Sequence, residues 1–93
     1  MTYSKEEIIS MGTTLINKYD EYISEGVGGV EMKEWYMSCQ NSCRELLHEL
    51  ENESLNDYRI RELTRVMQEE YGCAKPPVIS YWCRRVNEYM GFN

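Results

Sequence analysis

Cysteine is the residue of widest chemical repertoire in this chain, and it occurs at Cys39, Cys43, Cys73 and Cys83. An even count can mean disulfides, and four thiolates can hold zinc. The spacing favours neither. Cys39 and Cys43 stand one helical turn apart, on the same face as their apolar neighbours. Structural zinc sites draw on two close pairs set on turns, and Cys73 and Cys83 are too far apart to be one. The N-terminal residues are polar and acidic, unlike a secretory signal, so an oxidising compartment is not indicated. All four thiols are therefore expected to be reduced and metal-free, with Cys39 and Cys43 acting as small hydrophobes.

Other reactive constellations are lacking. His48 is the single histidine and stands beside Arg44 and Glu49, off the apolar stripe of its segment. No serine or cysteine partner sits at helical spacing from it, so no triad or acid–base pair can be drawn. Gly26, Gly28 and Gly29 follow a helical pattern rather than a strand, and no Lys-Ser or Lys-Thr pair follows them, which excludes a phosphate loop. The acid pairs Glu6–Glu7 and Glu69–Glu70 read as solvated faces. The expectation is a non-enzymatic protein with no catalytic residue, no metal and no cofactor.

The elements that position these residues are helical. Met32, Tyr36, Cys39, Cys43, Leu46 and Leu50 are separated by steps of four, three, four, three and four. That rhythm places all six on one stripe, with Trp35 and Leu47 widening it and Glu31, Glu34, Glu45 and Glu49 on the other face. This central helix spans about 30–52. Before it, Ser4 and Glu7 form a capping box flanked by Tyr3 and Ile8. A helix then runs through Ile8, Met11, Leu15, Ile16, Tyr19, Tyr22 and Ile23 to a glycine cap at Gly26. Gly12 lies inside it, where the absent side chain suits a close helix approach. After Asn52, Ser54 with Asp57 marks a third start, and Ile60, Leu63, Met67 and Tyr71 carry that helix to Gly72. Cys73, Ala74 and Lys75 make a turn. Pro76 and Pro77 suit the first turn of a fourth helix, which carries Val78, Ile79, Trp82, Val86, Tyr89 and Met90 and ends at Gly91. The fold class expected is all-α, a compact bundle of about four helices with short loops. Residues 1–93 form one helical domain, with an acidic pair over 1–53 and a second pair over 54–93.

In that second pair the run from Arg61 to Arg85 resembles a helix-turn-helix. Gly72 takes the turn, Val78 or Ile79 the buried aliphatic position, and Ser80 and Trp82 follow with basic residues after them. The resemblance implies a DNA-binding regulator in which Lys75, Ser80, Tyr81, Arg84 and Arg85 face or flank the duplex, and the acidic helices serve a homodimer. The same spacing also fits two packed helices with Trp82 in their core.

Charge points elsewhere. The whole chain carries −6. Residues 1–56 hold 4 basic and 11 acidic side chains, whereas 57–93 hold 6 basic and 5 acidic. An acidic protein is repelled by nucleic acid and anionic lipid, and suits a basic protein partner. No apolar run approaches the ~18 residues of a membrane span. A small, acidic chain without reactive groups resembles, in general character, the phage inhibitors that include the anti-CRISPR proteins. That resemblance implies an inhibitor acting in the host cytoplasm, where carboxylates on rigid helices occupy a basic groove meant for nucleic acid. The candidate binding residues are Asp20, Glu21 and Glu25 at the end of the first helix, and Glu31, Glu34, Glu45 and Glu49 on the central one. A solubilising face is the plainer reading of each taken singly.

Overall fold

Local chemistry decides where each helix starts and stops. The computed structural model describes residues 3–72 and 77–92. Helix α1 (Lys5–Glu25) begins on Ser4, whose hydroxyl accepts from the Glu7 N–H while the Glu7 carboxylate accepts from the Ser4 N–H. This reciprocal box satisfies two amides that the helix cannot. Its end is fixed by Gly26 at φ 67°, with the Val27 N–H donating back to the Tyr22 carbonyl. Gly28, at φ 75°, immediately caps α2 (Gly29–Glu51). Only glycine takes such angles cheaply, so the chain reverses within a very short loop.

The third start lies elsewhere than expected. Asn56, not Ser54, caps α3 (Asp57–Tyr71), its Oδ1 accepting from the Arg59 N–H at 3.0 Å. An asparagine directly before the helix reaches the free amide that a serine further back cannot. Helix α4 (Ile79–Met90) also starts later than its sequence suggested. Val78 is its cap, and Pro77 precedes the helix instead of forming its first turn. The Tyr19 hydroxyl donates to the Pro77 carbonyl, tying that approach to α1. Cys73, Ala74, Lys75 and Pro76 lie outside the described residues.

Each helix runs antiparallel to the next, and α4 closes the ring against α1. Tyr36 meets Tyr22 and Gln40 meets Ile16 across α1–α2. Glu45 meets Arg59 and Trp35 meets Tyr71 across α2–α3. Thr64 meets Asn87 and Arg61 meets Phe92 across α3–α4 and its end. Tyr3 meets Tyr81 and Tyr19 meets Pro77 across α1–α4. The result is an all-α four-helix bundle of 38 × 23 × 23 Å, its long axis close to the ~34 Å length of α2.

The core follows the periodicity. Tyr36, Cys39, Cys43, Leu46 and Leu50 of α2 are buried, and Met32 is half-buried at the end of the stripe. They meet Ile8 and Tyr19 of α1, Ile60, Leu63 and Met67 of α3, and Ile79, Trp82, Cys83 and Val86 of α4. Trp82 locks the α1–α4 seam. Its Nε1 donates to the Ile8 carbonyl at 2.9 Å, and its indole lies over Gly12. A Cβ on residue 12 would collide with the ring. The glycine thus provides the close approach expected of it, at a helix-propensity cost of about 1 kcal/mol.

Candidate functional site

The candidate surface is built from carboxylates on α1 and α2, and the fold sorts them into two groups. Asp20, Glu21 and Glu45 are engaged within the molecule. Asp20 accepts from the Gln40 amide and lies 3.9 Å from Arg44. Glu21 pairs with Lys18 at 3.3 Å and Glu45 with Arg59 at 3.7 Å. Glu25, Glu31 and Glu34 are exposed and have no ion pair among the described residues. Glu49 is half-buried, because it flanks the apolar stripe rather than opposing it; it too has no ion pair among those residues. Glu31 occupies the first turn of α2, where the helix N-terminus favours a negative charge.

Gln40 is the polar residue that the sequence reading passed over. It is buried on the inner side of α2, where its Nε2 donates to the Ile16 carbonyl at 2.9 Å and to Asp20. Its Oε1 accepts from Arg44 at 3.1 Å. Every polar atom of its side chain is used, so its partners offset the desolvation of the amide while the group fixes the α1–α2 register. The Gln40-to-Cys43 step of three was the available signal, and it was masked by the stronger stripe beside it.

The residues proposed for nucleic acid are differently placed. Lys75 lies outside the described residues. The Ser80 hydroxyl donates to the Gly72 carbonyl at 3.2 Å, closing the turn between α3 and α4. Arg85 is mostly covered, paired with Glu88 at 3.0 Å and stacked 4.8 Å from the Tyr81 ring centroid, with Tyr3 at 5.8 Å on its other side. Hydrogen bonding with Tyr81, and with Arg85 beside it, lowers the pKa of the Tyr3 hydroxyl. Hydrogen bonding with Tyr3 raises that of Tyr81. Arg84 is exposed and, among the described residues, has no ion pair.

No family model, curated protein or solved structure matches the chain. The site therefore stands on its own geometry. Cys39, Cys43 and Cys83 are free thiols buried in the core, while Cys73 lies outside the described residues. Burial pushes the Cys83 thiol up to about 12, and burial with neighbouring Cys83 and Cys39 pushes Cys43 higher still. Such thiols are protonated and poor nucleophiles. Among the described residues no group of three or more metal-ligating side chains is placed to hold an ion. His48 is exposed in the last turn of α2. Among those same residues no helix is long and apolar enough to cross a membrane.

Proposed function

We propose that the chain is a non-enzymatic protein-binding module, an inhibitor of the phage or mobile-element type, that covers a basic, nucleic-acid-handling surface of its partner with carboxylates of α1 and α2. One observation carries the reading: the two helix pairs spend their charge differently. On α3 and α4, Arg65 is held by Glu62 and Glu69, Arg85 by Glu88, and Arg61 lies 4.5 Å over the Phe92 ring. On α1 and α2, Glu25, Glu31, Glu34 and Glu49 have no such partner among the described residues. Uncompensated charge on rigid helices steers a partner of opposite sign and sets the register of docking.

The alternative, a small helix-turn-helix regulator, draws on Arg84 and Arg85. Two features weigh against it. Arg85 is already committed to Glu88 and two tyrosine rings. Helices α3 and α4 also touch far from their turn, at Thr64–Asn87, as a hairpin does and as the wide crossing of a DNA-reading pair does not.

A pull-down from host lysate with and without nuclease separates the readings. The proposal expects a protein partner that survives nuclease. Changing Glu25, Glu31, Glu34 and Glu49 together to glutamine should slow association and flatten its salt dependence, since exposed charge is screened over about 8–10 Å. Arg84→Ala with Arg85→Ala should matter less. Loss of activity in the arginine variant alone, with a gel shift on a specific duplex, would replace the inhibitor with the regulator.

A further inference from the structure

Apolar side chains are exposed at one corner of the bundle, where α1 ends and α2 begins. Val30 is 87% exposed and Met37 45%. They lie seven residues apart on the outer side of α2, with Glu34 between them. Helix α2 packs on α1 and α3, so its outer side has no covering helix. Beside Val30 an open groove of about 370 Å³ is lined by Tyr22, Val27, Val30 and Tyr36, with Glu25 and Lys33 at the same site. Valine is a weak helix former, and at this position it gains nothing from the core. Methionine is flexible and polarizable, properties suited to a contact surface.

We infer that this corner docks a basic amphipathic helix of the protein partner. The inference rests on the proposed inhibitor reading and assigns it a contact face. Two features specify the occupant. Val30 and Met37 stand seven residues apart, two turns along one line of α2, the spacing at which successive apolar anchors meet a second helix. Glu25 and Glu34, which have no ion pair among the described residues, border the apolar residues and match lysines or arginines flanking an apolar stripe. In this arrangement the buried apolar anchors supply most of the affinity, and the glutamates supply orientation and rate. A second groove, between α1 and α4 at Met11, Leu15, Val78 and Tyr81, has among the described residues no charged side chain in its lining to indicate what would cover it.

The probe is a synthetic leucine–lysine amphipathic peptide of about three heptads. Its controls are a leucine–glutamate counterpart, a scrambled peptide of the same composition and a short DNA duplex. Titration of isotope-labelled protein followed by backbone amide shifts should move the residues around Val27, Val30 and Met37. The scrambled and acidic peptides should not do so. Val30→Ser with Met37→Ser should weaken binding at least about tenfold, with an unchanged melting temperature because both side chains are exposed. Glu25→Gln with Glu34→Gln should weaken it several-fold and flatten the salt dependence. If the serine variant binds as well as the parent while the glutamine variant is weakened, the docking face is wrong and the acidic reading survives. If neither variant is weakened, or the duplex binds and displaces the peptide, both fall. Peptide-free, concentration-dependent shifts at the same amides would make the corner a self-association face and overturn the inference.

Discussion

The two helix pairs, of 21 and 23 residues against 15 and 12, differ in what holds them and in what they leave over. Between α1 and α2 the fit is set by a short glycine loop and by Gln40, whose amide is saturated by Ile16, Asp20 and Arg44. Much of the acid surface is left unpaired. Between α3 and α4 the charges are largely consumed in place, and the pair is anchored to α1 through Trp82. The difference teaches that net charge is a poor guide to a binding surface. Residues 57–93 contain more cations than residues 1–56, yet most of those described have partners inside the fold. What a half of the molecule can offer a partner is the charge its own geometry has not used.

The sharpest way to break this comparison is at the anchor. Trp82→Ala should destabilise the fold by about 3–5 kcal/mol, enough to unfold much of a small domain. Thermal melting followed by circular dichroism checks it, and an unchanged midpoint would mean that Trp82 does not fasten α4 to α1. Gly12→Ala tests the other side of the same contact. The methyl gains helix propensity but meets the indole, so a net loss of about 1–3 kcal/mol is expected. Stabilisation in a urea titration would show that the ring can move aside.

The buried thiols of α2 and α4 give an effect confined to alkaline solution. An unfolded cysteine ionises near pH 8.5, whereas burial raises Cys43 and Cys83, the latter to about 12. Above pH ~8.5 the unfolded state therefore binds fewer protons than the native state, and stability falls as pH rises. The contribution is complete below the unfolded pKa and is lost progressively towards the native value. Thiolate absorbance near pH 10 should be weak in the native protein and jump on unfolding. A full thiolate signal in folded protein would place these groups at the surface.

The smallest effect should come from the surface pairs that distinguish the second half. Arg65 sits 2.8 Å from Glu62 and 3.0 Å from Glu69, and these bonds raise its pKa. Both contacts are exposed and screened, so Arg65→Gln should leave the thermal midpoint nearly unchanged. It should free two carboxylates without opening the bundle. If it also increases association with a basic partner, unused charge, and not position, governs binding.

Much of the fold was legible because helices are written locally. The α2 stripe, the Ser4–Glu7 box and the glycine stops at Gly26, Gly72 and Gly91 involve residues within a few positions of each other. Asn56 and Val78 show where local reading slipped. Competing caps stand close together in sequence, and the Tyr19–Pro77 bond that holds the approach to α4 spans most of the chain. The acidic character of the first two helices was equally legible, since a sum of charges needs no coordinates. Which carboxylates remain unpaired was not. That depends on whether Arg44 reaches Asp20 or Arg59 reaches Glu45, contacts between different helices.

The sequence by itself determined four amphipathic helices, the Ser4–Glu7 box, the glycine stops and the sign of the charge, because hydrophobic period, capping and composition act over a few residues or over the whole sum. Only the tertiary structure decided that Gly12 makes room for Trp82, that Gln40 is saturated inside the α1–α2 seam, and that Val30 and Met37 stay outside the core. Those outcomes depend on which helix face meets which neighbour. That is settled by packing between residues far apart in the chain, where the shape of one side chain limits the space left for another.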